Sequence, residues 1–519
     1  MKKFLFGILL LLLFQCVNAE ISVTYFGGAE RVSGTCALVK TDKHSVIVDC
    51  GTFYEEDGLP VDNKNINSVL INADALVLTH AHADHAGLIP LLISKGFKGN
   101  IYCTSATKKI VFELYDDGWN FEDIAQNYFW SENQRINCQQ KQRGTVTLHW
   151  FNNCSKNITN HETLNKNITS KELQDTYNIK CKFCKKCIKK YLEKMAEQFI
   201  EIKYGDIIGL SEDLYFSLSD AGHIPGSAGI FFDIKDGGLQ KKVLFSGDLG
   251  SGYSKLVTDK KNALKADYIF LEATYGGKGR GIYAYEYYSF RNILAEELKK
   301  GKIVWIPALA LQRTQKVLYE IKKAKDDGKI DANIPVYSLS PSSNGLTELY
   351  DDEIKDPSFE KWFPKIVYDQ KTLKPDEYKT SKPKRYQKPS IVISASGMMD
   401  KGVSFSLLRK LLPRKDVTVF LVSYAGPKTP AGKLKKGAKK IKTKYGIINV
   451  GAFVQSFDIF SDHPDINETV KWLGDDNKKT SVYLVHGSKG SLKSEAAVLK
   501  RKGFLNVRPA PLNKKIIIK

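Results

Sequence analysis

Three imidazoles and a carboxylate fall within six residues of this chain, His80-Ala-His82-Ala-Asp84-His85, directly behind the short apolar run Ala75-Leu-Val-Leu-Thr79. Polar side chains packed at that density are costly to bury unless something satisfies them. Side chains alternate along extended backbone, so His80 and His82 point to one side while Asp84 and His85 turn toward a second point. One short segment can therefore supply ligands to two neighbouring metal ions. Imidazole nitrogen with carboxylate oxygen, and no thiolate, suits zinc; manganese and iron are the other options.

The remaining chemistry has the same kind of address. His223 follows the strand-like run Leu214-Tyr-Phe-Ser-Leu218, His463 follows Ala452-Phe-Val454 and Phe457-Asp-Ile-Phe460, and His486 follows Tyr483-Leu-Val485 directly. Two acids share it: Asp248 in Phe245-Ser-Gly-Asp-Leu249, and Glu272 after Ile269-Phe-Leu271. Ligands of α/β sheets gather beyond the carboxyl ends of strands, so these groups are expected to converge on one cleft. His44, His149 and His161 are left as ordinary surface or insert residues.

The frame is α/β. Strand-like runs alternate with helical periodicity at 288–299 and 314–325, around buried strands at 303–306, 334–337, 391–393 and 417–422. Residues 131–190 break the pattern, being rich in Asn, Lys and Cys and poor in apolar residues, and read as an insertion. Residues 374–388 read as a polar loop. With 519 residues, of which 42% are hydrophobic, the chain holds about two to four domains with real cores, which excludes a disordered tail or a small disulfide scaffold.

Several strings together are similar to the metallo-β-lactamase superfamily, whose hallmark is H-x-H-x-D-H, and more narrowly to its β-CASP nucleic-acid-processing branch. The pattern A-G-H-x-x-G-S-A is met by Ala221-Gly-His-Ile-Pro-Gly-Ser-Ala228, and S-G-D by Ser246-Gly-Asp248. The element E-[ST]-T-Y-G is approximated by Glu272-Ala-Thr-Tyr-Gly276, and P-A-F-A-x-G-R-x-Q by Pro307-Ala-Leu-Ala-Leu-Gln-Arg-Thr-Gln315. A-S-x-G-M is shortened to Ala395-Ser-Gly-Met398, S-A-H-x-D becomes Ser461-Asp-His-Pro-Asp465, and the closing V-H-G is Val485-His-Gly487. Departures are the segment Gly277-Lys-Gly-Arg-Gly281, which lacks the usual histidine, and Leu311-Gln312 in place of the glycine-bearing turn before Arg313.

The resemblance implies a four-layer αβ/βα metallo-β-lactamase fold, residues 20–276 and 431–519, with an inserted α/β β-CASP cap at 277–430. It implies two Zn2+ per chain, with Mn2+ or Fe2+ as substitutes. One ion would be held by His80, His82 and His223, the other by Asp84, His85 and His486, with Asp248 bridging. His463 is implied as general acid with Glu272 orienting it, and Asp84 counts with them as catalytic. Ser396, Gly397 and Arg313 are secondary candidates for contacts to substrate phosphate. Family members acting on RNA carry a histidine at the closing position, which His486 fills. The implied reaction is hydrolysis of single-stranded RNA, leaving 5′-phosphate and 3′-hydroxyl ends. A DNA-directed nuclease and an exported general or small-molecule phosphodiesterase are the rival activities, and a non-catalytic RNA-binding protein is the third reading.

Charge agrees with a polyanionic partner. Lys+Arg is 78 against 57 Asp+Glu, a formal net of +21. Two lysine-rich runs, seven lysines in 433–444 and six in 180–190, are candidate tracks for a phosphate backbone. A homodimer is an open assembly state. At the N-terminus, Lys2 and Lys3 precede an unbroken apolar run at 4–14, and Val17-Asn-Ala19 supplies a cleavage point. That layout is a secretory signal at 1–19, too short to span a bilayer, with a lipoprotein anchor at Cys16 as runner-up. The expected location is the periplasm or the cell exterior. Of nine cysteines, Cys36, Cys50 and Cys103 sit in apolar, strand-like surroundings. Cys138, Cys154, Cys181, Cys184 and Cys187 crowd the insertion, where disulfides are favoured over a structural zinc in an oxidising compartment.

Overall fold

The computed structural model describes residues 20–54, 61–116, 185–254, 256–280, 283–354, 386–444 and 446–519. The signal segment, Cys138, Cys154, Cys181 and Cys184, and most of the insertion lie outside the described residues.

Two seven-stranded sheets form the body. In spatial order the first runs Lys515–Ile518, Ile21–Gly27, Cys36–Lys40, Ser45–Val48, Ala75–Val77, Asn100–Cys103 and Phe199–Glu201. The second runs Asn506–Pro509, Ser481–Val485, Tyr268–Glu272, Leu239–Phe245, Ala228–Asp236, Leu214–Asp220 and Ile207–Ser211. Each sheet is part antiparallel and part parallel. Alternation is clearest in Leu214–Asp220, where every second residue is buried.

The sheets pack face to face through Val23, Phe216, Phe232, Phe245 and Phe270, with Phe245 and Phe270 stacked at 4.7 Å between centroids. Helices cover both outer faces. Ile89–Ser94 and Ser105–Asp116 lie over the first sheet, and Ile466–Leu473 and Lys489–Arg501 over the second. This is the four-layer arrangement expected from the sequence. Cys36, Cys50 and Cys103 are buried free thiols within it.

A third sheet, all parallel, is the core of the cap: Val336–Ser338, Ser390–Ser394, Ile303–Pro307, Val417–Leu421 and Phe453–Ser456. Helices Tyr283–Lys299 and Arg313–Asp326 cover one face; Gly402–Leu411 and Pro430–Lys435 cover the other.

Pairing moves the second boundary of the cap. The division at 430 leaves Phe453–Ser456 in the body, yet its residues pair with Thr418 to Leu421 as the cap sheet's edge. The hairpin Lys440–Thr443 with Gly446–Asn449 precedes it, so the chain returns to the body only after Ser456. The strand has four residues, none fully buried, and only the short run Ala452-Phe-Val454 marks it in the sequence. Short, half-exposed and polar composition is usual for a sheet edge. Likewise 457–460 is irregular backbone rather than strand, and His463 sits on a loop.

Candidate metal centre and active site

Strand ends in both body sheets deliver the site. Ala75–Val77 ends in the histidine string, Leu214–Asp220 leads to His223, Leu239–Phe245 to Asp248, and Ser481–Val485 to His486. His82 caps the one-turn helix Ala83–Ala86, which swings Asp84 and His85 away from His80 and His82.

Two ligand groups result. His80 Nε2 lies 3.1 Å from His82 Nδ1, and His82 Nδ1 lies 3.2 Å from His223 Nε2. Asp248 Oδ2 stands 3.6 Å from His80 and 3.7 Å from His223. Four ligands on a tetrahedron with bonds of about 2.0–2.1 Å would be about 3.3 Å apart. The second group joins Asp84 Oδ2 to His486 Nε2 at 3.4 Å, with Asp248 Oδ1 3.3 Å from His85 Nε2. Asp248 thus gives one oxygen to each group. Its Oδ1 is buried without a hydrogen-bond partner, and a buried polar group of that kind calls for a ligand. The donor set fits a divalent ion in both places, and all seven expected ligands are brought together.

Burial and neighbouring charges act differently on the individual ligands. Burial holds His80 well below its ordinary pKa and brings His223 down to about 3, so both are neutral ligands at neutral pH. Burial would raise the Asp84 carboxyl, but the hydrogen bond from His486 brings it down to about 2. His85 is pulled down by burial but raised overall by Asp248 and Asp49.

Asp49 was not singled out in the sequence. It ends strand Ser45–Val48 at φ 60° and is fully buried. Its carboxylate accepts from Thr79 N at 2.7 Å and Thr79 Oγ1 at 2.8 Å, and meets His85 Nδ1 at 2.8 Å. That bond fixes the His85 ring and leaves Nε2 for the ion. The signal was present: an acid directly after an apolar run, as for Glu272.

Beside the ligands stands a proton-carrying pair. His463 Nδ1 is 2.9 Å from Glu272 Oε1, with 18% of the histidine side chain exposed against 2% of the glutamate. Leu249 N and Thr274 Oγ1 also donate to Glu272, at 2.9 and 2.7 Å. Burial would lower the His463 pKa, but the charge and hydrogen bond of Glu272 lift it to about 9. Nε2 is left as the nitrogen open to substrate. Arg280, in the segment that departs from the family pattern, donates to the carbonyls of Ser461 and His463 at 3.1 and 2.8 Å and lies 3.7 Å above the Tyr275 ring. The loop carrying His463 is therefore clamped.

The secondary candidates divide. Ser396 follows strand Ser390–Ser394 and donates to Asp400 at 2.7 Å. Gly397 is pressed against Ser423, where an added Cβ would lie 2.4 Å from the hydroxyl. Desolvation, then the charges of Asp84 and Asp400, push the Tyr54 phenol up, so this cap loop faces the ligand segment across Tyr54. Arg313 is buried, donates to the Val422 carbonyl and has no partner at Nε. Internal contacts hold its guanidinium where a phosphate fork was expected. Gln312 takes φ 63° in place of glycine; its side chain accepts from Tyr350 at 2.7 Å and reaches the His223 carbonyl at 3.4 Å.

Three family models match along the chain: Metallo-beta-lactamase superfamily at 29–134, Beta-Casp domain at 314–434, and Zn-dependent metallo-hydrolase RNA specificity domain at 447–509. Transcription termination factor FttA of Methanothermobacter thermautotrophicus is 24% identical over 497 residues, 91% of this chain and 67% of that protein. The chain thus spans about two thirds of that factor. A ribonuclease of Thermus thermophilus is 24% identical, covering 92% of this chain and 96% of its own length. An RNase J-like protein of Methanocaldococcus jannaschii is 25% identical, covering 90% and 93%. A crystal structure of a protein of unknown function from Enterococcus faecalis shares the fold, with a TM-score of 0.50 at 10% identity over 96% of this chain and all of that one.

Proposed function

Because the chain belongs to the β-CASP branch of the metallo-β-lactamase superfamily, we propose that it is a ribonuclease. It would hydrolyse phosphodiester bonds of single-stranded RNA with two zinc ions, leaving 5′-phosphate and 3′-hydroxyl ends. One observation carries this reading: Asp248 splits its oxygens between two histidine groups beside the His463–Glu272 pair. The names of the relatives and the match to an RNA specificity domain support RNA over DNA.

The two groups would hold divalent ions, which would supply positive charge for the phosphate oxygens and acidify water toward neutral pH. The chain's own residues do the rest. His80, His82 and His223 on one side, and Asp84, His85 and His486 on the other, set the two positions, with Asp248 between them. Asp49 orients His85. His463, kept protonated by Glu272, donates the Nε2 proton to the departing 3′ oxygen. Glu272 keeps Nδ1 occupied, so only Nε2 can deliver.

The proposal includes action outside the cytoplasm, supported by the basic, apolar and small-residue order of positions 1–19. No helix among the described residues is long and apolar enough to cross a membrane.

The test is incubation of purified protein with a 5′-labelled single-stranded RNA and the matching DNA. Cleavage of RNA that chelator abolishes and zinc restores, with phosphate on the new 5′ ends, is the expected result. Hydrolysis of bis(p-nitrophenyl)phosphate with no action on RNA would replace ribonuclease by small-molecule phosphodiesterase.

A further inference from the structure

A cavity of about 180 Å3 opens between the body and two cap helices, several times the roughly 30 Å3 that one liquid water occupies. Tyr253 enters it from the loop after Asp248. Tyr287 and Arg291, one turn apart, enter from helix Tyr283–Lys299; Lys316, Tyr319 and Lys323 share a face of helix Arg313–Asp326.

Its charges are nearly balanced. Arg291 pairs with Glu320, and Lys316 with Asp462 at 2.7 Å. Lys323 is exposed at the mouth and acts on Glu320 through its charge, so the cations Arg291, Lys316 and Lys323 stand against the two acids Glu320 and Asp462. One cation is therefore left over, and one phosphodiester carries one negative charge. Three tyrosines supply ring faces, which every nucleobase can stack on. Lys316 is both a wall of the cavity and the partner of Asp462, the residue before His463, so the cavity wall is tied to the loop that carries the proton donor. Asp462 also stands where the pattern S-A-H-x-D has alanine, which ties this pair to the present chain.

We infer that this cavity is the subsite for one nucleotide on the 5′ side of the cut, its base among Tyr253, Tyr287 and Tyr319 and its phosphate at Lys323. The side follows from chemistry: His463 protonates the 3′ oxygen of the upstream nucleotide, so the strand on the His463 side is the 5′ strand. This rests on the ribonuclease reading above.

The experiment moves a single abasic residue along an RNA oligomer that the wild type cuts at one bond, measuring kcat/KM for cleavage. Affinity for the same oligomers is measured on His463→Ala, with and without Tyr319→Ala. One position 5′ of the cut should lose about tenfold in kcat/KM when its base is removed, the scale of one lost stack. On His463→Ala that position should lose about tenfold in affinity, and adding Tyr319→Ala should erase the difference while metal content stays constant. A flat scan, or a penalty that Tyr319→Ala leaves in place, overturns the subsite. Absent cleavage of RNA with the position-dependent affinity intact would overturn the ribonuclease reading and leave the cavity standing. A titration with adenosine 5′-monophosphate separates the other source of the same chemistry: saturable binding lost in Tyr319→Ala, with a flat scan, would assign the cavity to a free nucleotide instead.

Discussion

Asp248 holds one oxygen toward His80 and His223 and the other toward His85. An amide in its place keeps one oxygen and turns a nitrogen that cannot ligate toward the other group. On the two-ion reading proposed above, Asp248→Asn is therefore expected to lower the metal content of the purified variant by about one ion per chain, read by metal analysis. His463 makes a different demand. With its pKa raised to about 9, the acid is protonated at neutral pH, and kcat should fall as pH rises through about 9. Glu272→Gln removes the charge that lifts the ring, so the basic limb should move to lower pH, toward the ordinary histidine value near 6.5. His463→Ala should cost at least about 100-fold in kcat while both ions stay bound; loss of metal would contradict the role. The ligands were legible in the sequence because each imidazole follows an apolar run. Arg280 was not, since its work is done through backbone carbonyls that no side-chain pattern reveals.

Helix Ile466–Leu473 shows how an element reaches the chemistry. Asp465 caps it, accepting from Asn467 and Glu468, while Glu468 returns to the Asp465 backbone. The second oxygen of Asp465 accepts from Arg280 N at 3.0 Å. Asp465→Ala is expected to cost about 1 kcal/mol of stability in denaturant melts and to lower kcat as the His463 loop loosens. An uncapped helix with unchanged kcat would show that the loop is held by the Arg280 side chain alone. At this scale the central strands were legible and the margins were not. Ile303–Pro307 and Val417–Leu421 are buried along their whole length and read as unbroken apolar runs. Phe453–Ser456, marked in the sequence only by Ala452-Phe-Val454, is exposed at Phe453 and half-buried along the rest.

Across the whole molecule, the cap and the body share one core. Leu311, Leu346 and Tyr350 of the cap lie in the same buried cluster as Ile110, Val111 and Leu114 of the body. Cutting Leu346 to alanine should destabilise by about 2–5 kcal/mol. The thermal transition should stay single, with both domains melting together in calorimetry; a separate early melt of the cap would contradict a common core. This contact between helices Ser105–Asp116 and Pro341–Ile354 could not be read from the sequence, because periodicity shows which face is buried and not what covers it.

Lys515–Ile518 is hydrogen-bonded to Ile21–Thr24, and the His486 N–H is bonded to the Gly28 carbonyl. A nascent chain that has already made the histidine string still lacks the neighbour that completes it. Until Ser481–Val485 and Lys515–Ile518 are made and docked, the histidine string stays without His486, so the order of synthesis leaves assembly of the ligand cluster until late.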